Sequence, residues 1–244
     1  MKPALSEVQV LGFDVFGTVV DWRNSIARQA EPFLARHGLA IDPVAFAVEW
    51  RSWYQPQLES VRSGQRPWVR LEVLHRESLE RILQGHGLDP AALDDAELAD
   101  FTRAWDRLDP WPDVRDGLRR LKRHYPLVTI SNGHLAGMMQ MGRHAGLPWD
   151  LVLGAEIAQA YKPQPQVYLQ SAEAAGVAPA QLALVAAHNG DLRAARACGL
   201  KTIFVRRPTE HGPDQRIDLL PEEDWDIVVD GFTELADRLG CPHD

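Results

Sequence analysis

An aspartate at the end of an apolar run is the first place where this chain could do covalent chemistry. The segment reads Val8-Gln9-Val10-Leu11-Gly12-Phe13-Asp14-Val15-Phe16-Gly17-Thr18. A carboxylate delivered to a turn in this way can act as a nucleophile when it is ionised, held in place and faced by positive charge. Taken alone, Asp14 reads more readily as a turn or helix N-cap residue, which Gly17 and Thr18 suit too. Ser131, Asn132 and Gly133 follow the apolar run 127–130, where small polar groups can bond carboxylate or phosphate oxygens. Lys162, in Tyr161-Lys162-Pro163, either pairs with Asp14 and keeps it ionised or is a surface lysine before a helix. His188, Asn189 and Asp191 follow the run 182–187, with Asp191 also placed to cap a helix over 192–197. Arg51 lies in a helical pattern over 43–60, where a solvated face is its ordinary home.

These residues need a scaffold, and the hydrophobic pattern supplies one. Short β-branched or aliphatic runs cover 8–15, 127–130, 151–153, 182–187 and Lys201–Val205, with a sixth at Ile227–Val229. Helix-sized stretches separate the later runs, which predicts a parallel sheet with helices on both faces. The interval from the first run to the second is far too long for one crossover helix. It shows helical spacing over 24–36, 43–60, 69–85 and 91–107, punctuated by Gly38, Gly64, Gly85 and Pro90. The expected organisation is an α/β core, 1–20 with 109–244, and a helical cap inserted over 21–108. The Pro-rich stretch Asp109-Pro110-Trp111-Pro112 would lead back into the core, and 208–224 reads as a surface loop. Ligands bind at the carboxyl ends of the strands in such sheets, and Asp14, Ser131 and His188 all follow strand ends.

A length of 244 residues suits one α/β domain with an inserted lobe. The net charge of −8 gives no basic face for nucleic acid, and it requires a local positive site for any anionic substrate. Cys198 and Cys241 do not make a disulfide framework, so a reducing cytoplasm is expected. Lys2 is followed by a mixed stretch without the long apolar core of a signal peptide. No run approaches the ~18 apolar residues of a membrane span.

The motifs resemble those of the haloacid dehalogenase superfamily, and within it the L-2-haloacid dehalogenases. Asp14 to Thr18, Trp50-Arg51 in the cap, Ser131 to Gly133, Tyr161 to Pro163 and Val167-Tyr168 carry the resemblance, which spans essentially the whole chain. Phosphatases of the superfamily carry a second aspartate where this chain has Phe16, and that residue protonates the leaving alkoxide. A halide needs no proton, so Phe16 points to carbon–halogen chemistry.

The resemblance implies a Rossmann-like core with a cap, no metal, no organic cofactor, and an anionic 2-halocarboxylate and halide as ligands. It makes Asp14 the nucleophile, with Thr18, Ser131, Lys162 and Asp191 supporting catalysis. Arg51 would clamp the departing halide, the substrate carboxylate, or both. Asn132, His188, Asn189, Tyr168 and Phe16 would contact substrate, and Trp53, Tyr54, Trp68 and Trp22 could line an apolar pocket. Family members often form homodimers. Better-known members carry Ser and Asn at the positions of Ala186 and His188, so the hydrolytic step here needs other groups. A phosphatase of the same superfamily and a non-catalytic anion-binding relative are the alternatives.

Overall fold

The first strand, β1 (Val10–Phe13), is apolar and buried along its whole length, the pattern of a strand covered on both faces. The computed structural model describes residues 5–241, so Lys2 lies outside the described residues. β1 is joined by β2 (Leu127–Thr129), β3 (Leu182–Ala186), β4 (Lys201–Val205) and β5 (Ile227–Val229). All pairings are parallel, in the order β2-β1-β3-β4-β5. Alternate residues feed two cores, as the two-residue period of a strand requires. Leu11, Phe13 and Val185 pack on one face, and Val10, Leu184 and Ala186 on the other.

Five helices follow β1: α1 (Trp22–Arg36), α2 (Pro43–Ser52), α3 (Tyr54–Arg62), α4 (Leu71–Gly85) and α5 (Asp95–Thr102). Then α6 (Val114–Leu121) leads into β2. The chain continues through α7 (Leu135–Ala145), α8 (Ala155–Ala158) and α9 (Pro165–Ala174) to β3. α10 (Asn189–Ala197) links β3 to β4, and α11 (Phe232–Arg238) follows β5. This is the expected α/β architecture with a helical insertion after the first strand.

Four local expectations change. The run 151–153 is not a strand but a bridged edge segment beside β2. The Thr129 hydroxyl donates to Leu153 O and accepts from Leu153 N, adding to the backbone bonds from Thr129 N to Leu151 O and from Ser131 N to Leu153 O. The helix expected over 43–60 is two helices that break at Trp53. Pro56 has no N–H for the Ser52 carbonyl and is tolerated only in the first turn of a new helix. The pattern over 91–107 resolves into α5 flanked by 3₁₀ turns at Pro90–Ala92 and Arg103–Asp106. Finally, α10 begins at Asn189, so Asp191 is in its first turn and not at its cap.

The order of the strands fixes where a ligand can go. The chain turns to opposite sides of β1 for β2 and β3, and the crevice beyond such a switch point is where open α/β sheets bind. Register holds the strand ends level: Phe13 lies opposite Thr129 and Val185. The Asp14 amide donates to Val185 O at 3.0 Å.

Candidate active site

A cleft of about 1050 Å³ opens between these strand ends and helices α2 and α3. Asp14 stands at its floor, buried, with both carboxylate oxygens occupied. Lys162 Nζ donates to Oδ1 at 2.8 Å, Thr18 Oγ1 donates to Oδ2 at 2.6 Å, and His188 Nδ1 lies 3.1 Å from Oδ2. Burial opposes ionisation of Asp14, but Lys162 and His188 outweigh it and hold the carboxyl well below its usual range. Lys162 Nζ also donates to Asp191 Oδ2 at 2.5 Å, and Tyr168 Oη donates to Asp191 Oδ1 at 2.6 Å. Burial pulls the Lys162 pKa down; the two carboxylates more than reverse that, and the ammonium stays charged. Burial and the Asp191 charge push the Tyr168 phenol up, keeping it a donor.

His188 carries a second contact, Nε2 to Glu210 Oε2 at 2.9 Å. Glu210 is 1 % exposed and accepts from Trp22 Nε1 at 3.0 Å. Gly17 makes room for it: φ is +85° there, and an added Cβ would stand 2.0 Å from Glu210 Oε1. Burial would raise the Glu210 pKa, but the His188 charge lowers it overall.

The opposite wall is aromatic. Trp50 is buried against Trp105, Phe101 and Phe46, and its indole donates to His75 O at 3.0 Å, tying α2 to α4. That anchoring turns the next residue, Arg51, to the cleft. Its guanidinium lies 3.9 Å from the Tyr54 ring centroid and 5.3 Å from Trp22, and Nη1 is buried without a partner. Phe16 presents its ring to the same space, edge-on to His75 and Trp105.

A family model described as haloacid dehalogenase-like hydrolase matches residues 8–199. The crystal structure of a defluorinating L-2-haloacid dehalogenase superposes with a TM-score of 0.94 at 47% identity, covering 96% of this chain and 95% of that one. A second L-2-haloacid dehalogenase structure gives 0.91 at 45% identity, covering 96% and 100%. An (S)-2-haloacid dehalogenase from a Pseudomonas species (strain YL) is 30% identical over 205 residues, 82% of this chain and 83% of that protein.

The chain belongs to the haloacid dehalogenase-like hydrolases.

Its likeness within that family is to the L-2-haloacid dehalogenases, as the motifs implied. The structure brings Asp14, Thr18, Lys162, Asp191, Tyr168 and His188 into one network, with Phe16, Asn132 and Arg51 also at the cleft. Asn132 links the two walls, accepting from Lys162 N at 2.8 Å and donating to Tyr54 Oη at 2.9 Å. Ser131 is fully buried behind the lining, with Oγ accepting from Gly133 N.

Three expected ligand contacts are not brought there. Asn189 is spent on the segment 218–225: it donates to Asp218 and Leu220 and accepts from Glu222 N and Trp225 Nε1. Trp53 packs under Arg81 at 5.3 Å, and Trp68 lies against the core; neither lines the cleft. A divalent cation between Asp14 and Asp191 does not fit, because the Lys162 ammonium fills the gap between them. Among the described residues no helix is long and apolar enough to cross a membrane.

The sequence reading missed Glu210, His211, Ile217 and Asp218, all of which line the cleft from within 208–224. That stretch is polar and Pro-rich, and no local pattern distinguishes a buried glutamate in it. Gly17 was the available sign, since the close approach it permits requires a partner.

Proposed function

We propose that this protein hydrolyses short 2-haloalkanoic acids, such as haloacetates and L-2-halopropionate, to 2-hydroxy acids through an ester on Asp14. Asp14 attacks C2 from the side opposite the halogen, halide leaves, and configuration at C2 inverts. Arg51 receives anionic groups with a guanidinium that has an unused N–H in the cleft. Water then attacks the ester carbonyl and frees the hydroxy acid. Splitting one displacement into two easier steps is the logic of covalent catalysis. Helices of the 21–108 unit act as a cap over the core, excluding water during displacement.

The observation that carries this reading is the pairing of an ionised Asp14 with the apolar Phe16 ring. The nucleophile is ready, and the position two residues after it, where phosphatases of the superfamily carry their acid, holds an apolar ring. A phosphate ester would lack its proton donor; a halide needs none.

Release of fluoride, chloride and bromide from haloacetates and from L- and D-2-chloropropionate, in the presence of a chelator, tests the proposal. Fluoroacetate belongs in the panel because a similar structure is that of a defluorinating enzyme. Release is expected for the L enantiomer and should vanish in Asp14→Asn. Equal release by Asp14→Asn, or none from any acid, sinks it. The reading includes a homodimer, checked by light scattering, and a reducing cytoplasm that suits the free thiols Cys198 and Cys241.

A further inference from the structure

The polar contacts of His188 exceed what a residue at the N-cap of α10 needs. One imidazole nitrogen faces the nucleophile and the other faces a buried carboxylate, Glu210, from a distant loop. Glu210 in turn is locked by the Trp22 indole and by the absence of a side chain at Gly17. We propose that His188 is the base that activates water against the Asp14 ester and that Glu210 positions it. This inference rests on the dehalogenase reading.

Position excludes the other role open to His188, protonating the departing halide. In a back-side displacement the halide leaves from the face of C2 remote from the attacking carboxylate. His188 touches that carboxylate itself, so it stands on the wrong side of the reacting carbon.

In the resting site His188 lies between two carboxylates, which hold it as the imidazolium against the opposing effect of burial. An imidazolium cannot accept a proton. Alkylation of Asp14 removes one of those charges. The other groups that face His188 form no covalent bond in the displacement: Lys162 and Asp191 on one side, Glu210, Arg51 from α2, Asp218, and His211, whose pKa burial lowers. His188 then releases its proton to solvent and becomes neutral, with Nε2–H kept by Glu210 and Nδ1 free to accept.

Water adds to Cγ of Asp14 as its proton passes to Nδ1. The tetrahedral oxyanion collapses, the C–O bond to the substrate carbon's oxygen is kept, and the acyl C–O bond breaks. The leaving alkoxide takes the proton from Nδ1. The remaining carboxylic acid proton then passes to His188, which restores the starting ion pair. One water is consumed, and one halide, one hydroxy acid and one proton are released. Formation of the ester thus switches on the base that removes it.

Rapid-quench halide measurement with intact-protein mass spectrometry tests this. In His188→Asn a fast phase of one halide per site should persist, with turnover falling on the order of 10²–10⁴-fold and the Asp14 ester accumulating. Glu210→Gln keeps an acceptor for Trp22 and should slow ester hydrolysis less. It should also move the pH midpoint of that step downward, a change no packing defect produces. Imidazole added to His188→Ala should restore turnover. The proposal is overturned if either variant slows both phases equally with no ester, or if His188→Asn turns over like the parent. Failure of the parent to release halide is a separate result: it overturns the dehalogenase reading and this one with it.

Discussion

Around Asp14 the core wall satisfies its polar atoms, whereas the cap wall leaves several without partners. Both oxygens of Asp14, of Asp191 and of Glu210 have donors or ring nitrogens within reach. Across the cleft, Arg51 Nη1 is buried and unpaired, and so, behind the lining, are His75 Nε2 and Trp105 Nε1. A buried unpaired donor is destabilising by roughly 1–3 kcal/mol, and that of Arg51 lies at the cleft, where an incoming anion can pair with it. The core wall holds a nucleophile in one charge state, and the cap wall waits for an anion. The contrast predicts that substitutions on the two walls separate stability from activity.

The largest effect belongs to Lys162→Met. It leaves Asp14 and Asp191 buried without their shared cation, a change that destabilises by about 3–5 kcal/mol. At about 2–4 °C per kcal/mol for a chain of this size, thermal unfolding should drop by roughly 6–20 °C, and halide release should be lost. An unchanged melting temperature would break the comparison. Next comes Arg51→Met, which removes the charge-assisted bonds to substrate and should lower kcat/KM by about 10²-fold. The ligand-free melting temperature should hold or rise, because an unsatisfied donor has gone; a fall of several degrees would show that the cap wall is structural after all.

The pH dependence of stability gives a smaller and more selective effect. The pKa of His188 is raised well above 6.5 in the folded state, so the folded protein holds this proton more tightly than the unfolded chain. Its contribution is complete below about pH 6.5 and declines as pH rises through the folded value. The melting temperature of the parent should exceed that of His188→Asn at pH 6, with the gap narrowing on the alkaline side. A gap constant from pH 6 to 10 would remove His188 from the charged network. The smallest effect is expected for Trp53→Phe, whose ring packs on Arg81 and does not line the cleft: stability within about 0.5 kcal/mol and unaltered halide kinetics.

Much of this was legible in sequence because it is local. A buried strand pattern ending in Asp14 gives both β1 and the direction of its carboxylate, and the same holds for Ser131 and His188. Lys162 and Arg51 were legible through motif resemblance, since nothing in a helical pattern says which arginine faces a cleft. Trp50 explains why Arg51 does, through a contact with His75 that bridges two helices. Asn189 was misplaced because its partners lie in 218–225, a segment with no pattern of its own. Glu210 escaped for the same reason. Pro56, by contrast, was a visible break in the cap helix.

The ions gathered at Asp14 also carry a consequence for product release. Closest to the nucleophile, Asp14, Asp191 and Glu210 face Lys162, His188 and Arg51, three negative groups against three positive ones, with Glu59, Arg62 and Asp218 also lining the cleft. A carboxylate substrate brings one surplus negative charge. When the halide departs and His188 yields its proton, the pair leaves as the equivalent of a neutral acid, and the surplus stays at one. The hydroxy acid takes that last charge away with it. These six groups therefore pass through the whole cycle with at most one uncompensated charge, and halide inhibition should strengthen as the medium becomes more acidic.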